Sequence, residues 1–425
     1  RAHELPAPVS IRVNKLKSFD PVAHFLGIVS RVPWTDNGYY LSERPSFTFD
    51  PIFHAGCYYV QEASSMLIEQ ALHQHADLSR RLNVLDLCAA PGGKSTHIQS
   101  LISGDSLLVS NEVIRSRSNV LKDNIVKWGA NNVVVTNNDP RDFLRVENFF
   151  DVIVVDAPCS GSGLFRREPE AMEEWSADNV ALCSQRQRRI LADVWPALKK
   201  DGLLVYSTCS YSKEEDEEIA AWLETEKQAV YLPLQTGGAW GLTDTGRGYR
   251  CWPDKVKGEG FFLACFRKTD GKGESTMRVR KKATALIKTE REWMQRWVIE
   301  NELQFIKHEQ TVYAWPADRE DAYNWLLNNL RVVYSGTIIG ELMRDKLVPD
   351  HALAMSRLAA PDIHQQELTL DQSIAYLQRK DLPIETSTKG WQLVTYLNHP
   401  LGWINALPNR INNYYPKELR ILKDK

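Results

Sequence analysis

Runs of apolar residues, each followed by a turn and an amphipathic stretch, dominate residues 78–269. This alternation predicts buried parallel strands separated by helices, the arrangement of a doubly wound α/β sheet. The predicted strands include residues 83–87, 106–111, 132–136 and 260–266, one that ends at Asp156 and one that ends before Cys209.

The chain has a different pattern on either side of this region. Residues 1–77 hold a short extended element at 10–14, a stretch rich in proline and aromatic residues at 32–53, and a helix predicted over 61–75. A glycine- and charge-rich segment that begins at Lys268 predicts a linker over 270–282. Residues 283–425 predict a separate α+β or β-rich module, with strands at 311–315, 332–336 and 391–397.

Two cysteines stand at the ends of successive predicted strands. Cys159 follows the apolar run that ends at Asp156, and Cys209 follows the run that ends at Thr208. Because parallel strands bring their carboxyl ends to one edge of a sheet, where open α/β folds bind ligands, we expect both thiols in one cleft. A single cysteine at such a place is more often an inert apolar residue. A pair predicts covalent chemistry.

A turn of small residues, Cys88 to Ser95, leads from the strand at 83–87 into a helix. Its glycines let the backbone approach a ligand, and the free N–H groups of the helix favour an anionic group, so the turn predicts a nucleotide-like ligand. The end of the turn also matches the P-loop of nucleoside triphosphatases. That pattern needs a glycine where Cys88 stands, so we reject it.

Two acids follow the next strands. Glu112 lies about twenty residues beyond the glycines, where Rossmann-like domains place an acid on the ribose hydroxyls. Asp139 follows the strand at 132–136 and could accept a hydrogen bond from an exocyclic amine of the base. Either acid alone is more often a helix cap, but their order and spacing support the nucleotide interpretation.

These segments carry a resemblance to a known family. Asp86 to Ser95, Asp156 to Gly161 and Ser207 to Ser210, together with residues 11–14 and 61–65, resemble the motifs of the Sun/Fmu-type (Nop2/Sun) RNA cytosine-5 methyltransferases. The resemblance spans roughly residues 11–268. It implies a Rossmann-like methyltransferase domain over 78–269 with an antiparallel last strand, an RNA-binding extension over 1–77, and an RNA-binding, PUA-like module over 283–425.

The resemblance also implies S-adenosylmethionine as the cofactor. The residues expected to bind it are Cys88, Ala89, Ala90, Pro91, Gly92, Gly93, Lys94, Glu112, Asp139 and Asp156.

The chemistry of cytosine agrees with a pair of thiols. Carbon 5 is a poor nucleophile until a thiolate adds to carbon 6, and the adduct must then lose the carbon 5 proton and the thiol. The resemblance implies that Cys209 is the nucleophile and that Cys159 assists release. The reverse assignment stays open, because DNA cytosine-5 methyltransferases use a Pro-Cys cysteine for attack. Asp156 is expected to contact the cytosine ring nitrogen.

Composition adds limits. The 425 residues are 43% hydrophobic and 25% charged, without a stretch that approaches a membrane span. The seven cysteines are odd in number and lack metal-ligand spacing, so we expect a reducing cytoplasm and no metal.

A net charge of −2 is unlike that of a strongly basic RNA-binding protein, so any RNA contact must come from local clusters of basic residues. Arg166 and Arg167 are the best candidates for RNA contact. The acidic run 213–218 predicts a solvated helix start without a catalytic role.

The target is the least determined part of this interpretation. Residues 400–403 and 409–420 resemble the carboxyl end of bacterial ribosomal RNA members, which favours 16S ribosomal RNA or a small-subunit assembly intermediate. The alternatives are a transfer RNA cytosine-5 methyltransferase and, from other classes, a non-catalytic RNA-binding assembly factor or a nitrogen methyltransferase. Retention of both cysteines with Asp156 argues against the last two.

Overall fold

Four β-sheets and twelve α-helices make up the part of the chain that this computed structural model describes, residues 2–271, 277–299, 302–344, 346–382, 384, 386 and 388–424. None of the helices within these ranges combines the length and the apolar character that a membrane crossing needs.

The first sheet belongs to the N-terminal module. This stretch of chain contains four strands and three helices: β1 Val9–Val13, α1 Pro21–His24, β2 Ile28–Arg31, β3 Gly38–Leu41, α2 Pro51–His54, β4 Tyr58–Val60 and α3 Ile68–His75. The strands are antiparallel and lie in the order β2-β3-β1-β4. The helix predicted over 61–75 is therefore too long, and a 3-10 turn precedes α3. The Glu62 carboxylate accepts hydrogen bonds from the backbone N–H groups of Ser64 and Ser65, which fixes this turn.

The central sheet confirms the doubly wound α/β prediction. Strands β5 to β9 pair in parallel, and β13 runs antiparallel beside β9. Its order is β11-β12-β13-β9-β8-β5-β6-β7-β17. The elements from residue 83 to 267 are β5 Asn83–Asp86, α4 Gly93–Leu101, β6 Leu107–Asn111, α5 Arg115–Trp128, β7 Val133–Thr136, β8 Phe150–Asp156, α6 Ala171–Glu174, α7 Ala177–Val194, β9 Leu198–Thr208, α8 Glu217–Glu226, β10 Val230–Leu232, β11 Thr243–Asp244, β12 Tyr249–Cys251 and β13 Phe261–Arg267.

The last third of the chain forms two smaller sheets, in the orders β14-β15-β16-β18-β19 and β20-β21-β22-β23. Its elements are β14 Thr284–Ala285, α9 Lys288–Met294, β15 Leu303–His308, β16 Thr311–Pro316, α10 Glu320–Asn329, β17 Val332–Ser335, β18 Thr337–Met343, β19 Lys346–Pro349, α11 His351–Met355, β20 Gln365–Glu367, α12 Leu370–Leu377, β21 Gly390–Tyr396, β22 His399–Leu407 and β23 Arg410–Asn413.

This part of the chain is less separate than its composition predicts. β17 pairs antiparallel with β7 and forms the edge of the central sheet, with Ser335 opposite Val134. The strand covers backbone groups of β7 that would otherwise form an open edge. Trp315 and Tyr323 join the same apolar core as β7. The predicted strand at 332–336 exists, but it belongs to the central sheet.

The predicted linker is anchored where it begins. Lys268 is buried, and its Nζ donates hydrogen bonds to the carbonyl oxygens of Trp195 and Leu198, at 3.0 and 2.8 Å. Residues 272–276 of this segment lie outside the described residues. The contacts of Lys268 hold the end of the predicted domain 78–269 in place just before the predicted linker.

Candidate active site

The two cysteine side chains meet at the carboxyl edge of the central sheet. β8 and β9 are parallel neighbours with Asp156 opposite Ser207, so the loops that follow them start side by side. Cys159 Sγ lies 3.1 Å from Cys209 Sγ, and both residues are partly exposed. The expected shared cleft is therefore present.

A glycine makes this approach possible. The backbone N–H of Gly163 donates to the carbonyl oxygen of Cys209 at 2.8 Å. A Cβ at this position would lie 2.7 Å from that oxygen and 2.5 Å from the carbonyl oxygen of Gly260, closer than such atoms approach. The spacing of Cys159 and Cys209 thus depends on the missing side chain of Gly163.

The surroundings of Cys159 favour its protonated form. The hydrogen bond to Cys209 and burial, together with the charges of Cys209 and Glu215, raise the pKa of Cys159 well above its ordinary value. Cys159 therefore keeps its proton at neutral pH.

Asp156 and Lys94 form an ion pair beside these thiols. Lys94 Nζ lies 2.8 Å from Asp156 Oδ2, and Ser207 Oγ donates to Oδ1 at 2.7 Å. Burial alone would lower the pKa of Lys94, but Asp156, and then Asp86 and Cys209, outweigh it, and the pKa is raised. Lys94, expected among the cofactor ligands, is thus an ammonium paired with Asp156.

Three carboxylates lie near the small-residue turn from Cys88 to Ser95. Gly92 caps α4 with φ 117°, in the region that favours glycine. Burial, and then the charges of Asp86, Asp156 and Glu112, raise the pKa of Cys88, which places all three carboxylates near the turn. Such a set of acids suits a cationic ligand, and a sulfonium amino acid is one.

Asp86 is a site residue that the sequence reasoning passed over. It is fully buried, Ser95 Oγ donates to its Oδ2 at 2.6 Å, and its Oδ1 has no partner. Burial raises its pKa to about 7. An unpartnered buried carboxylate oxygen beside the turn fits the ammonium of a bound amino-acid moiety. Its position before the motif Cys88 to Ser95 was the available signal.

The two acids expected to contact the nucleoside differ in their surroundings. Glu112 is buried, accepts from the backbone N–H of Ile114 at 2.9 Å and lies 3.4 Å from Arg117. Asp139 caps the 3-10 helix Pro140–Val146 by accepting from the N–H of Arg141. Only Glu112 is placed among the acids of the turn, whereas Asp139 already has the capping role that such acids commonly have.

Arg166 and Arg167 line a groove of about 900 Å³ between the N-terminal module and the central domain. The Arg166 side chain is buried, and its Nε lies 3.1 Å from a carboxylate oxygen of Glu259. This pairing occupies the guanidinium, so we do not retain Arg166 as a phosphate contact. Arg167 is 54% exposed and stays a candidate.

Arg12, in the N-terminal extension, contacts the helix α4 that carries Lys94. It is 1% exposed, and its guanidinium donates to Thr96 Oγ1 at 2.6 Å and to Gln61 Oε1 at 2.8 Å. It also lies over the ring of Trp128. Burial lowers its pKa to about 9. Arg12 therefore anchors the start of α4, the helix that carries Lys94, and is not exposed to RNA.

The acidic run after Cys209 is not a solvated helix start, and that prediction is wrong for its central residues. Glu215 and Asp216 are fully buried, and α8 begins only at Glu217. Asp216 pairs with Arg250 at 3.0 Å and accepts a hydrogen bond from Thr208. A positive partner and hydroxyl donors compensate the burial of these acids.

One group of possible metal ligands occurs among the described residues, Asp36, Glu69 and His73. The Glu69 carboxylate already accepts from Thr35 at 2.6 Å and pairs with His97 at 2.7 Å. We assign no metal to it.

Comparisons with known proteins agree along the whole chain. The family model "16S rRNA methyltransferase RsmB/F" matches residues 70–267, the "N-terminal domain of 16S rRNA methyltransferase RsmF" matches 1–63, and the "Methyltransferase RsmF PUA domain" matches 364–421.

Individual relatives point the same way. "Ribosomal RNA small subunit methyltransferase F" of Escherichia coli O127:H6 is 31% identical, over 98% of this chain and 91% of that protein. A solved "Methyltransferase Homolog Protein" from Pyrococcus horikoshii is 33% identical with a TM-score of 0.54, over 63% of this chain and 88% of that one. The structure of NSun6 from the same organism, with SFG, has a TM-score of 0.54 at 20% identity over 64% of this chain and 93% of that one, and shares the fold.

Proposed function

The chain belongs to the family of 16S rRNA methyltransferases of the RsmB/F type, with a C-terminal PUA domain, and we propose that it methylates carbon 5 of a cytosine in 16S ribosomal RNA. Methyl transfer depends on S-adenosylmethionine, as in the family. The finer claims, the carbon 5 position and a covalent cysteine adduct, rest on the site.

One observation carries this proposal. Cys159 Sγ and Cys209 Sγ lie 3.1 Å apart, beside the ion pair of Lys94 and Asp156. Methylation of a nitrogen needs no thiol, whereas methylation of carbon 5 needs a nucleophile at carbon 6. A pair of cysteines at the carboxyl edge of the sheet matches the second reaction.

The cofactor site fits S-adenosylmethionine. Asp86, Glu112 and Asp156 surround the turn from Cys88 to Lys94, and the unpartnered Oδ1 of Asp86 can accept from the ammonium of the methionine moiety. Glu112 is the proposed acceptor for the ribose hydroxyls. When bound, the cofactor would supply a methyl group on a sulfonium sulfur, which would depart as a neutral thioether.

Cys209 is the proposed nucleophile. Its thiolate forms a bond to carbon 6, and the electron density passes to carbon 5 and towards the ring nitrogen. Lys94 Nζ and the Asp156 carboxylate lie 2.8 Å apart, and in this proposal the ammonium offsets this charge while Asp156 contacts the ring. The target base must be unstacked, because attack comes from the face of the ring.

Cys159 is the proposed release residue. After carbon 5 takes the methyl group, its proton must leave and the bond from carbon 6 to sulfur must break. Cys159 is protonated and in contact with Cys209 Sγ, so it can pass its proton to the departing sulfur and, as the resulting thiolate, take up the proton from carbon 5. An RNA substrate, free or within a small-subunit assembly intermediate, places the proposed activity in the cytoplasm.

Denaturing electrophoresis tests the assignment. Wild-type, Cys159→Ala and Cys209→Ala proteins are incubated with naked 16S RNA, partly assembled small subunits or transfer RNA, and with labelled methyl donor. We expect a labelled, denaturant-stable protein–RNA adduct in Cys159→Ala and none in Cys209→Ala. Cys57→Ala, which removes a buried cysteine whose charged neighbours are Lys17 and Asp50, is the matched control and should turn over normally.

Other outcomes are equally informative. An adduct in Cys209→Ala alone would reverse the two roles. Transfer to transfer RNA alone would support that alternative target. Methyl transfer that survives the loss of both thiols would refute the covalent route, and no transfer by the wild-type protein to any RNA would favour a non-catalytic assembly factor.

A further inference from the structure

A buried glutamate joins the two cysteine loops. Glu215 ends the 3-10 turn Lys213–Glu215 just after the Cys209 loop, and its side chain is inaccessible to solvent. Its Oε1 accepts from the backbone N–H of Ser160 at 2.8 Å and from Gln187 Nε2 at 3.2 Å. Its Oε2 accepts from Ser160 Oγ at 2.5 Å and Ser210 Oγ at 2.7 Å.

The donors in this network are neighbours of the two cysteines in the chain. Ser160 directly follows Cys159, and Ser210 directly follows Cys209. A single carboxylate therefore contacts the residue next to each thiol. All four contacts come from donors, and both carboxylate oxygens accept two of them each.

The same carboxylate acts on one thiol electrostatically. Its charge is among the causes that raise the pKa of Cys159, after the hydrogen bond to Cys209, burial and the charge of Cys209. Glu215 thus helps to keep Cys159 protonated. The geometric role and the electrostatic role can be separated by experiment, because glutamine preserves the shape of the side chain and removes its charge.

We propose that Glu215 is the positioning residue of the two-cysteine centre: through Ser160 and Ser210 its carboxylate holds both cysteine loops in one cleft. The proposal rests on the proposed function, since it explains how the nucleophile and the release residue stay in contact. Glu215 acts through the loops and touches neither substrate nor cofactor.

The first measurement needs no RNA. The rate at which iodoacetamide alkylates Cys159 and Cys209 is followed against pH by peptide mass spectrometry, in wild-type, Glu215→Gln and Glu214→Gln proteins. Glu214 is the exposed acid next in the chain and is matched for charge. We expect Glu215→Gln to raise Cys159 alkylation about threefold at about pH 8, since loss of a nearby negative charge favours the thiolate. Glu214→Gln should match the wild-type protein.

The second measurement follows methyl transfer. Glu215→Ala removes the carboxylate that bonds to Ser160 and Ser210. We expect kcat to fall about 100-fold, because the two thiols lose their alignment with the reacting atoms. The KM values for RNA and S-adenosylmethionine should stay within about twofold. Glu215→Gln can still bond to both serine hydroxyls, so it should recover most of this kcat. A residue that only stabilised the fold would not separate kcat from KM in this way.

The outcomes distinguish the two proposals. A Glu215→Ala protein that keeps wild-type kcat overturns the positioning role, whereas equal Cys159 alkylation in Glu215→Gln and wild-type proteins overturns only the electrostatic role. If Glu215→Ala does not fold, a double Ser160→Ala, Ser210→Ala variant removes both hydroxyl donors to the carboxylate and tests the positioning role by the same kcat measurement. If the wild-type protein methylates no RNA, the proposed function fails, and the alkylation profiles still decide whether Glu215 controls the cysteine pair.

Discussion

Replacement of Asp86 by asparagine should stabilise the ligand-free protein and weaken its binding of S-adenosylmethionine. Asp86 is fully buried, with one oxygen bonded by Ser95 and the other without a partner. In the ligand-free protein, burial of the negative charge of Asp86 lowers the free energy of unfolding. The substitution keeps the acceptor for Ser95 and removes the charge.

The size of the effect follows from the pKa of Asp86. Burial raises it from 3.8 to about 7, with Asp156 and Glu112 adding to the rise, and this difference corresponds to about 4 kcal/mol. Since the folded-state pKa is the higher one, this stability is present below pH 3.8 and is lost as pH rises through about 7. An unpartnered buried amide costs about 1–3 kcal/mol. We therefore expect the free energy of unfolding of Asp86→Asn to exceed that of the wild-type protein by about 1–3 kcal/mol at about pH 8.

Binding should change in the opposite sense. A hydrogen bond to a charged group contributes about 1.5–3 kcal/mol, so Asp86→Asn should bind S-adenosylmethionine about 10- to 100-fold more weakly. In the wild-type protein only the ionised carboxylate attracts the ammonium. Because its ionised fraction falls from about half at pH 7 to about 3% at pH 5.5, and the neutral form still binds about 10- to 100-fold more weakly, Kd should rise about 4- to 12-fold over this range. The ligand amine stays largely protonated there.

Calorimetric titration from about pH 5.5 to 7, with chemical denaturation at about pH 5 and 8, measures both quantities. Asp77→Asn changes an exposed acid and serves as the control. The same Kd in wild-type protein at both ends of the range would refute the argument, as would an Asp86→Asn protein that binds the cofactor normally.

Three further outcomes test other parts of the site. Glu112→Gln should weaken S-adenosylmethionine binding about tenfold and leave the Kd for RNA unchanged; equal cofactor affinity in calorimetry would remove its ribose role. Gly163→Ala should cost about 1–3 kcal/mol of stability and at least tenfold in kcat, because its Cβ would lie 2.7 Å from the carbonyl oxygen of Cys209. Normal kinetics would show that the loop adapts. Arg12→Met should lower the free energy of unfolding by about 3 kcal/mol, since Thr96 loses a buried charged donor, without changing the salt dependence of RNA binding. A weaker salt dependence would instead mark Arg12 as a phosphate contact.

The sequence by itself determined the central fold and the chemistry of its edge. Apolar runs such as 132–136 can only be strands buried on both faces, and chain order fixes where each strand ends. Cys159 and Cys209 could therefore be assigned to one edge before any distance was known. The turn from Cys88 to Lys94 was equally evident, because small residues before a helix have few other uses.

Only the tertiary structure decided which charged residues are free and which are structural. Arg166, Glu215 and Arg12 resemble solvated residues in sequence, yet the side chain of each is buried against a partner far along the chain. In the same way, β17 could join the central sheet only once β7 presented an open edge. Hydrophobic periodicity reports the burial of apolar faces. It carries no information about a buried charge, whose burial depends on a compensating group that folding alone brings near.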